Sequence, residues 1–123
     1  MRIALVPLKT KPKQPRKNLR HLETILASLG DAQPDLIVLP ECTLTGYVYE
    51  ESDLAQFAEP IPGQTVATFA QLARQYKANI CFGMIEREGE RVYDSGVLLD
   101  REGQVILAQR KMSEKPPFQN GEH

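Results

Sequence analysis

The sequence predicts an α/β fold, a mixed sheet flanked by helices, from three features. Short apolar runs containing β-branched residues alternate with two stretches whose apolar residues recur every three or four positions. The last three apolar runs follow one another with only turns between them, so the sheet should be parallel where helices cross over and antiparallel afterwards. Gly, Pro and Asp clusters separate the runs.

The first strand is expected over residues 3–8 (IALVPL), interrupted by Pro7, with a loop over 9–14. Pro15 suits the first helical position. Leu19, Leu22, Ile25, Leu26 and Leu29 then mark one helical face, and Gly30 supplies a stop. Residues 35–41 (DLIVLPE) are nearly continuously apolar, the pattern of a strand covered on both faces. A short helical turn is expected over 52–58, a proline-bound loop over 59–63, and a second amphipathic helix over 64–77 with Val66, Phe69, Ala70, Ala73 and Tyr76 on one face. Residues 79–87 and 91–99 form a third and a fourth strand, joined as a hairpin through Glu88 and Gly89. A turn over 100–103 leads to a fifth strand over 104–110, and a Pro-rich tail follows Lys111. The order is β-α-β-α-β-β-β, without internal repeats.

With 123 residues, 41% hydrophobic and 25% charged, the chain suits one globular unit. A chain of this size buries roughly two-thirds of its unfolded surface, so a multilayer architecture would need material from a partner or a further segment. Fifteen basic residues against 16 acidic ones give a net charge of -1, which supplies no field for phosphate backbones or anionic lipid. The local cluster of Lys9, Lys11, Lys13, Arg16, Lys17 and Arg20 lacks interleaved aromatics and reads as a solvated face. Neither nucleic acid nor membrane is an expected partner. Cys42 and Cys81 are too few for a disulfide framework, and no Cys or His spacing resembles a zinc site. Together with an N-terminus that lacks signal-peptide organisation, this leads to the expectation of a cytoplasmic protein with no metal and no cofactor.

Two strand ends carry the residues of chemical interest. In open α/β sheets, ligands gather beyond the carboxyl ends of the strands. Glu41 ends an apolar strand, where a carboxylate is costly unless paired. Burial would raise its pKa and a neighbouring cation would lower it, so it reads either as a general base or as a strand-end glutamate meeting a cap or a surface cation. Lys111 ends the fifth strand, where an ammonium could hold an oxyanion or simply reach solvent. Tyr47 could line a pocket beside Glu41 or sit in the core or at its rim, while Gly46 suits a turn. Cys81 reads as a small buried hydrophobe, and His21 and His123 as solvated side chains.

The stretch Leu39-Pro40-Glu41-Cys42-Thr43-Leu44-Thr45-Gly46-Tyr47 resembles the segment around the catalytic glutamate of the nitrilase superfamily, and Gln109-Arg110-Lys111-Met112 resembles its catalytic-lysine segment. Asn18, Pro62-Gly63, residues 83–86, 97–103 and 118–122 fall in the order usual for that family, so the resemblance covers nearly the whole chain.

It implies hydrolysis of a non-peptide carbon-nitrogen bond, in an amide, nitrile or carbamoyl compound, by a Glu-Lys-Cys triad on an αββα sandwich of which this chain is the N-terminal half. Glu41 would be general base and then acid, Lys111 would stabilise the oxyanion, and a cysteine thiolate would form the covalent intermediate. Glu114 resembles a second glutamate that orients the triad in some members, although only two residues separate it from Lys111, and Met112 and Ser113 stand where a histidine is often seen. Asp94 stands where the family more often has asparagine. The family's nucleophile lies in a later strand-to-helix turn, so the expectation is a single hydrolase domain whose residues 1–123 stop short of it. Residues 1–123 would then be inactive alone. The alternative is a non-catalytic binding or regulatory form of the same fold. The expected partners are a small amide or nitrile substrate and either a second copy, as in the family's homodimers, or the missing half.

Overall fold

A computed structural model describes residues 1–112, 118, 119 and 121. Five strands, β1 (Ile3–Leu5), β2 (Leu36–Val38), β3 (Asn79–Glu88), β4 (Arg91–Leu99) and β5 (Val105–Arg110), form one sheet in sequence order. The helices are α1 (Pro15–Ala27), α2 (Glu51–Phe57) and α3 (Gln64–Tyr76), with a 3-10 turn at Gly30–Ala32. β1, β2 and β3 are mutually parallel, whereas β4 is antiparallel to both β3 and β5. β5 therefore runs in the same direction as the first three strands. The carboxyl ends of β1, β2, β3 and β5 all lie along one margin of the sheet.

The element order matches the one expected, and the boundaries differ where proline intervenes. β1 and β2 are short, but their hydrogen bonding persists: Val6 N–H donates to the Val38 carbonyl at 3.0 Å and Leu39 N–H to the Cys81 carbonyl at 2.8 Å. Pro7 and Pro40 have no N–H to continue either ladder. Arg91 pairs with Glu88, so the hairpin turns on Gly89 and Glu90, one residue later than expected, and Gly89 takes φ +62°.

One face of the sheet is packed. Ile37, Ile80, Phe82, Val97 and Leu99 meet Leu22 and Leu26 of α1 and Phe69 and Ala73 of α3, with the Phe69 and Phe82 rings stacked at 4.1 Å. The second face departs from the expectation that β2 is covered on both sides. Register aligns Leu5, Val38, Cys81, Leu98 and Leu107 in one row across all five strands. Leu5 is 73% exposed and Leu107 56% exposed at the two ends of this row, while Val38, Cys81 and Leu98 are half-buried. No described helix covers this row; among the described residues the face is closed towards the carboxyl margin, where Cys42, Val48, Leu54, Ala58 and Ile85 pack together with Phe57, Val92 and Phe118.

Candidate active site

Glu41 follows β2 and enters a turn running through residue 45. Two features hold that turn to the sheet. Thr43 N–H donates to the Gly83 carbonyl at 3.0 Å, and Gly83 leaves room for the turn to lie directly on β3. On the other side, the buried Asn18 amide donates to the carbonyls of Lys11 and Leu44, at 2.8 and 2.6 Å, and its oxygen accepts from Lys11 N–H at 2.8 Å. This ties the loop before α1 to the loop carrying Glu41. Gly46 takes φ +68° and serves the turn expected of it.

Lys111 follows β5 on the same margin. Its N–H donates to the Asp94 carbonyl at 2.7 Å, extending the β4–β5 pairing by one step. Strand alternation therefore puts Asp94 and Lys111 on the face that carries Gly83, Gly96 and Gln109, the face left open by the helices. There Leu39, Glu41, Cys81, Gly83, Asp94, Gly96, Gln109 and Lys111 contribute to the lining of a shallow concavity of about 300 Å³. Its floor includes two glycines, and its charged groups stand at one end.

The structure brings together Glu41, Lys111 and Tyr47. Lys111 Nζ is 3.4 Å from Glu41 Oε1, across 70 residues of sequence, and the Tyr47 hydroxyl donates to Glu41 Oε2 at 3.1 Å. Asp94 joins them, buried at 6% exposure and within hydrogen-bonding reach of the Glu41 carboxyl. That contact is the largest influence holding Glu41 below the usual carboxylate range; partial burial opposes it, while the Tyr47 hydroxyl and the Lys111 ammonium add to it. The same contact with Glu41 pushes the Tyr47 phenol up. Tyr47 is half exposed and stacks on the exposed Tyr49 at 6.3 Å, forming an aromatic rim beside the carboxylate.

Cys42 sits at φ +47° with its side chain in the second apolar cluster, whereas Glu41 lines the concavity. Cys81 is half-buried instead of fully buried because it lies on the open face, and it contributes to the concavity; partial burial pushes its thiol up. His21 is exposed, as expected. Glu114 and His123 lie outside the described residues. No group of three His, Cys, Asp or Glu side chains among the described residues could hold a metal ion. No described helix is long and apolar enough to cross a membrane. Sequence reasoning missed the contact of Asp94 with Glu41 and the close approach at Gly83. A glycine inside an apolar strand is the available signal for the second; nothing local signals the first.

A carboxylate and an ammonium meeting at the carboxyl margin of an α/β sheet can exchange a proton and hold a developing negative charge. The chain belongs to the carbon-nitrogen hydrolase family, whose sequence model matches residues 2–122. It is 38% identical over 127 residues to an (R)-stereoselective amidase of Pseudomonas sp, covering 99% of this chain and 45% of that protein. It is 29% identical over 105 residues to a nitrilase of Pyrococcus abyssi, covering 84% of this chain and 40% of that protein. The chain thus spans less than half the length of these relatives. Among solved structures, an N-terminal amidase superposes with a TM-score of 0.87 at 19% identity, over 94% of this chain and 29% of that one. An amidase from Nesterenkonia sp. AN1 superposes with a TM-score of 0.84 at 24% identity, over 100% of this chain and 50% of the other. At those identities the likeness is one of fold.

Proposed function

We propose that Glu41 and Lys111 are two members of a Glu-Lys-Cys triad that hydrolyses a small amide, nitrile or carbamoyl compound. The observation that carries this reading is the approach of the two side chains to 3.4 Å at the rim of the concavity, from separate strands. In the reaction, the Glu41 carboxylate accepts the proton of a cysteine thiol as sulfur attacks the substrate carbon. With an amide or carbamoyl compound it then delivers that proton to the departing nitrogen; with a nitrile the proton goes to the nitrile nitrogen, giving a thioimidate that one water converts to the thioester with release of ammonia. The Lys111 ammonium holds the negative charge that develops on the carbonyl oxygen. Water activated by Glu41 then cleaves the thioester, releasing the acid. The attacking thiol comes from a cysteine outside residues 1–123, as it lies beyond the corresponding segment in the family pattern. The Nesterenkonia amidase, where acrylamide adds to an active-site cysteine, supports a cysteine nucleophile. Glu114 is proposed to orient the triad, and Tyr47 to line the substrate pocket and steady Glu41.

The open row of Leu5, Val38, Cys81, Leu98 and Leu107 supports a second layer packing on this face, from the remainder of the domain or a second copy, in an αββα arrangement that would also roof the concavity. The test is ammonia release by the full-length protein from short amides and nitriles. Full turnover in Glu41→Gln or Lys111→Met would overturn the assignment.

A further inference from the structure

Gly96 is exposed in the middle of β4, where glycine is less stable than alanine because it gives up more backbone freedom on folding. No backbone demand explains it. Its φ lies outside the left-handed region, and the irregularity in the β4–β5 pairing falls at Leu98 and Leu99. Packing does not explain it either. A β-carbon built on Gly96 meets no described atom within 4 Å beyond its chain neighbours, whereas one on Gly83, its partner on β3, strikes the backbone of Glu41 and Cys42 at 2.7 Å. The glycine at 83 lets the Glu41 turn onto the sheet; the glycine at 96 leaves a space beside that turn.

Register gives that space the outline of a slot. Gly96 stands between Gly83, on which the Glu41 turn lies, and Gln109 of β5. Towards the margin, the next residue on this face of β4 is Asp94, whose carbonyl accepts from the Lys111 N–H. In the other direction it is Leu98, in the apolar row with Cys81. Gly96, Cys81, Gln109 and Lys111 all contribute to the same concavity. From the charged end to the apolar row is roughly 13 Å of strand, more than a formyl or acetyl group spans. We propose that Gly96 is a specificity-determining residue: the space above it seats the substituent on the substrate's carbonyl or nitrile carbon, and its missing side chain admits a branched or cyclic hydrocarbon there. The assignment of that substituent rests on the reading of Glu41 and Lys111 as the reacting end of the concavity; the space as a ligand seat does not.

The test compares benzamide with acetamide on the full-length protein and on its Gly96→Ala and Gly96→Val variants. Ligand-observed NMR gives Kd for each amide without turnover, and ammonia release gives kcat/KM. The expected result is that both variants disfavour benzamide relative to acetamide by about ten- to two-hundred-fold, the usual effect of one methylene in an apolar pocket, with valine the more severe. The thermal midpoint of Gly96→Ala should hold or rise, since alanine suits a strand interior better than glycine. A benzamide-to-acetamide ratio unmoved in Gly96→Ala, or in a folded Gly96→Val, overturns the proposal. So does a Gly96→Ala midpoint that falls while both amides weaken alike, the result expected if a further layer of polypeptide sits on the glycine. Failure of both amides to bind the unmodified full-length protein overturns it as well. A shifted Kd ratio alongside full activity in Glu41→Gln leaves the slot standing and removes the base role, whereas an unmoved ratio with activity lost in Glu41→Gln does the reverse.

Discussion

A β-carbon placed on Gly83 would lie 2.7 Å from the Cα of Glu41 and 2.7 Å from the backbone nitrogen of Cys42. Both obstacles are backbone, so no side-chain rotation could relieve the clash, and the turn carrying Glu41 would have to lift off β3. Gly83→Ala should cost about 1–3 kcal/mol in urea unfolding, in the range of overpacking elsewhere. It should also lengthen the Glu41–Lys111 separation. A crystal structure of the variant with that ion pair unchanged would show that the close approach does not position the site.

Asn18 fixes the same turn from the opposite side with three hydrogen bonds. Replacing it with leucine leaves two carbonyls and one N–H without their partner in a buried setting. The expected loss is about 1–3 kcal/mol for such unsatisfied groups, and the measurement is the unfolding midpoint. Amide exchange should rise at Lys11, whose N–H the Asn18 oxygen accepts, and stay unchanged along β4. Uniform exchange changes across the whole sheet would mean that the asparagine supports the fold at large.

On the packed side of the sheet, Glu86 is 9% exposed and accepts from the Arg110 guanidinium at 2.9 Å through both oxygens, with the Ser95 hydroxyl at 2.7 Å. Arg110 also stacks over the Tyr93 ring at 3.9 Å. The Arg110 hydrogen bonds hold the Glu86 carboxyl below its ordinary value of 4.5, against the opposing effect of burial. A depressed carboxyl stabilises the fold above its unfolded value, and that contribution is lost as pH falls through the folded one. Unfolding free energy should therefore decline below pH 4.5. The decline should be shallower in Glu86→Gln, which cannot be protonated. Parallel acid-side curves for the two proteins would reject Glu86 as a source.

The order of elements along the chain, the mixed character of the sheet, the helices and the carboxyl margin were legible in the sequence because each rests on local pattern. Periodicity gives the helices, and the absence of helical spacing after residue 78 gives the antiparallel end. The half-open condition of β2 was not legible: a continuous apolar run looks the same whether its second face is covered by this chain or by another layer. Cys81 was misread for the same reason. Asp94 contacts Glu41 only because residues 41 and 94 lie on neighbouring parts of one margin, which is a property of register and leaves no mark near either residue.

The open row predicts that residues 1–123 alone will not behave as an inert monomer. Leu5, Val38, Leu98 and Leu107 form a contiguous apolar strip that a stable soluble surface seldom leaves bare. Sedimentation should show concentration-dependent association, and a polarity-sensitive dye should fluoresce on binding. Leu5→Lys with Leu107→Lys should reduce both, because both positions are exposed and lie at the row's two ends. A dilution-resistant monomer with weak dye binding would rule out this role for the strip.

Residues 1–123 alone should hydrolyse no amide or nitrile above background, and the reason lies in the two cysteines. Cys42 is 2% exposed in an apolar cluster, so its sulfur is withheld from a substrate in the concavity. Cys81 is the stronger candidate, since it contributes to the same concavity as Glu41 and Lys111. Its thiol, however, is pushed up by burial, which suppresses the thiolate that would attack, and Glu41 is held low, which weakens it as a base. Members of a catalytic triad act as a unit, so two without the nucleophile leave only residual stabilisation. In the full-length protein, by contrast, Glu41→Gln should lower kcat about a hundred- to ten-thousand-fold, the usual contribution of a general base. The deciding experiment assays residues 1–123, their Cys42→Ser and Cys81→Ser variants, and the full-length protein on one panel of short amides and nitriles. Activity in the 123-residue chain that disappears with Cys81→Ser would place the nucleophile within it and overturn the assignment of an outside cysteine.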